Sequence, residues 1–482
     1  MSPWIILITI ACYFALLIIT SWVTGHKADN AAYFTGGRKT PWYMATLAMI
    51  GASISGVTFI SVPGAVLTGG YAYMQMVLGF LVGSMLVAWV LIPLFYRMKL
   101  VSIYGYLEKR FGLASYRTGA WLFFISKMLG ASVRFFVVCV VLQTLVFDPL
   151  GIPFALNVVM TVALIWLYSF QGGVKSLIWT DALKTLCLVT SVVCCICFIT
   201  SQLDLTLTTL PIAVAHHPTS KLFFLDDPND GRYFWKQFIA GIFMIIACTG
   251  LDQDLMQRTL SCKNIRESQK NMVVSAGVQT LVIGLFLLLG TLLYMYADRF
   301  MPTSQVRGDA LFGAVAWSEQ CPLYVGILFI VGLIAAAYSA AGSALTALTT
   351  SFTIDILRAD VKQDAQNLTL TRKLVHFIMS LLMVVTIVVF YELSDDSAIN
   401  AVYNLAAYTY GPILGMFVFG LACRRPVHDA YVPLVAIAAP TLSYILKQNS
   451  EAWLGGYQIS FELLLINALF TAAGLGLLIK KR

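Results

Sequence analysis

Hydrophobic positions along this chain cluster in long unbroken runs, about 3–23, 42–67, 73–96, 118–146, 152–170, 177–200, 236–256, 272–297, 322–354, 374–391, 398–422, 430–446 and 459–479. About 20 residues of helix cross ~30 Å of hydrocarbon, so the pattern predicts about thirteen transmembrane helices. Inside lipid each backbone N–H and C=O must be satisfied within its own segment or in a closed barrel. These runs lack two-residue alternation, which excludes the barrel. The expected class is therefore an all-α membrane protein, with a single membrane domain over 1–482. The run at 3–23 reads as a membrane helix rather than a removed leader. No positive residue precedes it, it is longer than a leader's apolar core, and no small-residue cleavage site follows.

Two of the predicted helices carry their own breaks. The second contains Gly51-Ala52-Ser53-Ile54-Ser55-Gly56 and then Pro63-Gly64; the seventh contains Cys248-Thr249-Gly250-Leu251-Asp252-Gln253-Asp254. Small and hydroxyl residues let a membrane helix unwind, and freed carbonyls can then hold a cation while half-helix N-termini face an anion. Small residues also serve close helix packing, so either cluster alone decides little. The two clusters lie five helices apart, the spacing that two five-helix repeats of inverted topology require. This divides the chain into an extra N-terminal helix and loop (1–41), a first repeat (42–200), a second repeat (236–422) and two peripheral helices (430–482).

Composition agrees and adds little: 59% of the 482 residues are hydrophobic and 11% charged, against about 25% charge in soluble domains. Charge changes the picture through its placement. Alternate connections collect Lys27, Arg38, Lys39, Arg97, Lys99, Lys109, Arg110, Arg117, Lys175, Arg258, Lys263, Arg266, Lys270, Arg358, Lys362, Arg372, Lys373, Arg424, Arg425, Lys480, Lys481 and Arg482 on one side. The other side holds only Lys221, Arg232, Arg299, Arg307 and Lys447. Basic loops stay in the cytoplasm, which predicts an outside N-terminus, a cytoplasmic C-terminus and a bacterial inner membrane. The net charge of +8 reflects this asymmetry; without interleaved aromatics it does not indicate nucleic acid. Of the ten cysteines, Cys187, Cys194, Cys195 and Cys197 fall in the run at 177–200 with no His or acidic ligand set beside them, and they read as small buried residues.

Further motifs follow in order: Tyr33-Phe34-x-Gly36-Gly37-Arg38, Tyr104-x-Tyr106-Leu107-Glu108-x-Arg110-Phe111-Gly112, and Gly172-Gly173 with Trp179-Thr180-Asp181. Gln253-x-x-x-Gln257-Arg258-x-Leu260, Ser339 through Asp355, and Tyr410-Gly411-Pro412-x-Leu414-Gly415 come after them. With the first broken helix, these make the chain resemble the sodium:solute symporter family, whose members include the proline and sodium/galactose transporters. The resemblance runs over nearly the whole chain. It implies an inverted-repeat transporter bundle with one helix before the ten-helix core and two after it, and secondary active import of a sugar, amino acid or carboxylate driven by Na⁺.

The resemblance also implies roles for residues. Backbone carbonyls of Gly51, Ile54 and Ala336 and the hydroxyl of Ser339 would hold Na⁺, with Ser343 one turn on as an indirect contributor. Ala340 stands where the family places Ser or Thr, and a methyl group supplies no oxygen. Proton coupling or uncoupled transport therefore stays open beside Na⁺. Asp181 is an acid inside an apolar run, which a bilayer penalises by at least ~2.5 kcal/mol. It reads as a second cation contact or a proton carrier, or as an acid near the boundary neutralised by Lys184 at i+3. Thr58, Asp252 and Gln279 align with sugar-lining positions, but Gln279 and Asp252 replace the Lys and Asn of the sugar-carrying members. Arg134 and Lys127 lie seven apart on one helix face. Arg134 either pairs internally or receives a substrate carboxylate through its two-pronged guanidinium. Gln75, with Tyr71 and Tyr73, reads as an outer gate or, for the tyrosines, as interfacial anchors.

Rival classes lack their hallmarks. No HExxH or GxSxG motif suggests an intramembrane enzyme, and a pseudo-repeat in one chain suits alternating access better than a channel's ring of subunits. The expected partners are a small-molecule substrate and the lipid bilayer, with no nucleic acid. The sequence leaves the oligomeric state open.

Overall fold

Every apolar run becomes helix in the computed structural model. It describes all residues except 1–2, 26–28, 171, 207, 302–305, 319–320, 394–395, 458, 460 and 481–482, and, within helices, the side chains of 3, 145 and 396–404. Lys27, Lys481 and Arg482 of the basic count, and residue 460 of the run at 459–479, thus lie outside the described residues. The main helices are α1 (Pro3–Gly25), α2 in two halves (Trp42–Ser53 and Gly56–Gly64), α3 (Ala72–Arg97), α4 (Leu113–Leu142), α5 (Phe154–Ser169) and α6 (Gly173–Gln202). They continue with α7 in two halves (Phe234–Gly250 and Gln253–Thr259), α8 (Ile265–Phe300), α9 (Leu323–Ile356), α10 (Ala365–Leu393), α11 (Asp396–Ala422), α12 (Val432–Gln448) and α13 (Leu463–Leu477).

Among the described residues nine helices are long and apolar enough to cross a membrane, and eleven spans result if each bent pair counts as one. The expected thirteen spans are not confirmed as such. The runs at 152–170 and 459–479 yield helices of 16 and 15 residues, below the ~20 that an untilted crossing takes. The outer helices carry exposed apolar surface: Leu370, Leu374, Phe377, Leu381 and Val385 form an apolar stripe along α10.

The breaks form where the sequence placed them. The first half of α2 ends at Ser53, Ile54 is extended (φ −92°, ψ 111°), and the second half restarts 63° away. Ser55 and Thr58 seal the restart as a reciprocal capping box, each hydroxyl accepting from the other's backbone N–H at 3.3 and 3.4 Å. The two halves of α7 meet at 74°. Here Asp252 caps the restart, its carboxylate accepting from the N–H groups of Asp254 (2.8 Å) and Leu255 (3.2 Å).

At the centre runs α9, buried at nearly every position from Leu333 to Asp355 and packed against α6, α4 and both halves of α2. The small residues of α9 permit this closeness. Helices α3 and α7 pack just as intimately, through Gly79 and Gly241, where any side chain would strike the facing backbone. The peripheral α12 and α13 lean on α11 and on each other.

The two ends of the bundle differ in kind. At one, the basic connections knit together: Arg38 donates to the Leu100 carbonyl, Arg110 to the Gly420 carbonyl, Arg358 pairs with Glu108 at 2.9 Å, and Thr40 bridges Cys262. At the other, Ser61 donates to Asp309 (2.8 Å) and Gln75 clasps the long connection before α7. Gln75 is fully buried, donating to the Arg232 carbonyl (2.8 Å) and accepting from Phe224 N–H (3.1 Å). With its amide engaged on both sides, Gln75 ties α3 to the connection before α7 at the position where the sequence suggested a gate.

Candidate functional site

Helix ends leave their last four carbonyls without helical partners. The break after Ser53 therefore frees carbonyls at Gly51–Ile54, and Ser55 N–H turns to the Thr58 hydroxyl instead of back along α2. Gly51 sits where α2, α6 and α9 converge. A side chain on it would meet Thr185 Oγ1 first, then the Asp181 carbonyl and Ser339 Oγ at 3.1 and 3.3 Å. Ser339 is fully buried and its hydroxyl has no partner among the described residues, which costs stability unless something else uses it. Ala336 lies one turn earlier on the same face of α9. The structure thus brings Gly51 and Ser339 together, with Ile54 at the break and Ala336 adjacent.

Thr185 is the addition that the sequence did not single out. Its hydroxyl donates to the carbonyls of Leu47 (2.7 Å) and Asp181 (2.8 Å) beside Gly51. Its oxygen and that of Ser339 both come up against the Cβ position of Gly51.

Next to this neutral-oxygen pocket runs a chain of buried ion pairs. Lys184 Nζ lies 3.1 Å from Asp181 Oδ1, and Asp181 Oδ2 lies 2.7 Å from Arg258 Nη2. Arg258 also pairs with Asp254 of the same short helix, and Asp254 continues to Lys127 at 2.8 Å. Lys127 reaches Asp252 at 3.1 Å, and Asp252 accepts from the Tyr410 hydroxyl at 2.6 Å. The six charged side chains come from α4, α6 and α7. Three are acids and three bases, so the chain is balanced. All are 4% exposed or less except Lys127, at 14%. Such a cluster tolerates burial only because each charge is matched.

This network absorbs two residues expected at the ion site. Ser343 donates to both oxygens of Asp254. Asp181 has its expected partner in Lys184 and a second, unforeseen one in Arg258. Among the expected substrate groups, Thr58 serves the capping box and Asp252 serves as cap, ion pair and tyrosine acceptor. Gln279 makes no side-chain hydrogen bond among the described residues and sits one helical turn beyond Ser275, whose hydroxyl faces Met49 of α2.

Arg134 behaves differently from the three cations of this cluster. It is exposed, and among the described residues it makes neither an ion pair nor a hydrogen bond. It lies within electrostatic reach of Lys127, of Cys248 at the α7 break and of Tyr73 on α3. Lys127, on the same face of α4, takes the internal carboxylates and leaves Arg134 uncompensated.

Comparison with known proteins places this geometry. The sodium:solute symporter profile matches residues 33–429. The sodium/sialic acid symporter NanT of Aliivibrio fischeri is 26% identical over 439 residues, 86% of this chain and 82% of NanT. The human sodium/iodide cotransporter is 23% identical over 86% of this chain but only 66% of its own greater length. A solved substrate-bound, outward-open Na⁺-coupled sialic acid symporter superposes with a TM-score of 0.84 at 20% identity, covering 98% of this chain and 97% of that one. At that identity the likeness carries the fold.

Proposed function

Because the chain belongs to the sodium:solute symporter family, we propose that it imports a small carboxylate-bearing solute, driven by the Na⁺ gradient. It is a multi-pass membrane transporter of the family's inverted-repeat fold, and Na⁺ is its coupling ion. The observation that carries the carboxylate reading is Arg134. A guanidinium unpaired among the described residues, beside a charge-balanced cluster and on the helix facing the α7 break, calls for an anion. The sialic acid carried by NanT is itself a carboxylate sugar, which supports the same reading.

In this reading Na⁺ rests on the carbonyls of Gly51, Ile54 and Ala336 and the hydroxyl of Ser339. Thr185 contributes the second hydroxyl that Ala340 lacks. Ser343 and Asp181 stay with the ion pairs, and Thr58, Asp252 and Gln279 shape the substrate side. Asp181 spends both oxygens on fixed cations, which favours Na⁺ over protons as the driving ion. The two bends in α2 and α7 suit alternating access, with α2, α3, α7 and α8 rocking against the remaining core helices. The gathering of basic connections at one end supports an outside N-terminus and a cytoplasmic C-terminus in a bacterial inner membrane.

The ion arm is tested by Ser339→Ala. A lost contact to a charged partner is worth about 1.5–3 kcal/mol, about ten- to hundredfold in affinity. The half-saturating Na⁺ concentration for uptake should rise by that factor. The substrate KM at saturating Na⁺ should stay within about twofold. An unchanged Na⁺ dependence would remove Ser339 from the site.

A further inference from the structure

We infer that Lys184 is a permanent counter-cation for Asp181, so that this acid accepts no mobile cation and the protein binds a single Na⁺ per transport cycle. The inference rests on the Na⁺ site proposed above and adds its stoichiometry. A buried carboxylate beside a sodium pocket would ordinarily be the place for a second ion, since it brings charge that carbonyls and hydroxyls lack. Here the place is taken. Asp181 is fully buried, and one oxygen faces Lys184 at 3.1 Å while the other faces Arg258 at 2.7 Å.

The ammonium is held as firmly as the acid. An ammonium has three donors, and Lys184 finds three acceptors: Asp181, the Tyr168 hydroxyl at 3.1 Å and the Tyr338 carbonyl at 3.3 Å. Tyr168 in turn donates to that same carbonyl at 2.8 Å, and the ammonium lies 4.4 Å from the centre of the Tyr168 ring. The side chain is 0% exposed. Helices α5, α6 and α9 thus build a complete cage around a tethered charge.

Charge counting gives the same answer. Asp181, Asp252 and Asp254 balance Lys127, Lys184 and Arg258, so an added cation would enter the cluster uncompensated. Replacing Asp181 and Lys184 together removes one charge of each sign and preserves the balance. Replacing Lys184 alone leaves an acid short of a partner, within one helix turn of Thr185 and Gly51. A cycle with one Na⁺ and one monoanion moves no net charge.

Equilibrium binding of radiolabelled Na⁺ to the purified full-length protein tests this directly. The wild type should bind one Na⁺ per chain with a Hill coefficient of about 1. The double variant Asp181→Asn/Lys184→Met should do the same, with affinity within about threefold. Lys184→Met, where it folds, should bind two. Two Na⁺ per wild-type chain, or loss of Na⁺ binding in a folded double variant, would overturn the inference. No Na⁺ binding by the wild type at all would instead remove the proposed Na⁺ site on which it rests.

Discussion

Arg258→Met should abolish Na⁺-driven uptake and markedly lower the melting temperature of the purified protein. Arg258 is the only described residue that joins the acid of α6 to the acids of α7: it meets Asp181 at 2.7 Å through one nitrogen and Asp254 through another. At 3% exposure it has no solvent to replace those contacts. Removing one member of a buried pair typically costs 3–5 kcal/mol, roughly, because the other charge stays behind unmatched. Here two carboxylates would be stranded. Lysine is a poor substitute, since a single ammonium lacks the rigid fork that reaches both acids at once. Arg258→Lys should therefore fold but transport slowly. The paired readouts are thermal unfolding in detergent and uptake into proteoliposomes. A variant with unchanged melting temperature and unchanged transport would show that the ion-pair chain contributes to neither.

Arg134→Gln should leave the fold intact and raise the KM for an anionic substrate by about ten- to hundredfold. The estimate comes from one charge-assisted contact of about 1.5–3 kcal/mol, and a two-pronged grip lies at the upper end. Since Arg134 is exposed and bonds to no described residue, its removal breaks nothing internal, so melting temperature should hold. Arg134→Lys keeps the charge and loses the fork, which predicts a partial effect. Na⁺ binding to the purified variant should be unaltered. Equal KM values for wild type and Arg134→Gln would place the substrate carboxylate elsewhere or show that there is none.

How much of this was legible in the sequence depends on the range of the interaction. The helices were, because the demand that lipid places on backbone groups acts within each segment. The breaks at Ile54 and Leu251 were too, since Gly, Ser and Thr clusters release the backbone locally. Helix lengths were less so: packing and loops trimmed the runs at 152–170 and 459–479 to 16 and 15 residues.

The ion pairs had a weaker trace. Lys184 at i+3 from Asp181 was visible on one helix, and Asp254 with Arg258 at i+4 could have been read the same way. The links from Arg258 to Asp181 and from Lys127 to Asp252 span 77 and 125 residues, and no local pattern announces them. Ser343 shows the limit of face arguments. It shares the face of Ser339, but one turn further along α9 its hydroxyl donates to Asp254. Gln75 shows another. A polar residue near a helix mouth looks identical in sequence whether it lines a cavity or clasps a loop.

The most direct test of Na⁺-driven carboxylate import is uptake into proteoliposomes from a labelled panel of monocarboxylates, carboxylate sugars, neutral sugars and amino acids. An imposed Na⁺ gradient and a separate proton gradient supply the driving force. The expected result is accumulation of a carboxylate-bearing solute under the Na⁺ gradient alone, displaced by other carboxylates and not by neutral sugars. Accumulation driven only by protons, or of a neutral solute that carboxylates fail to displace, would contradict it.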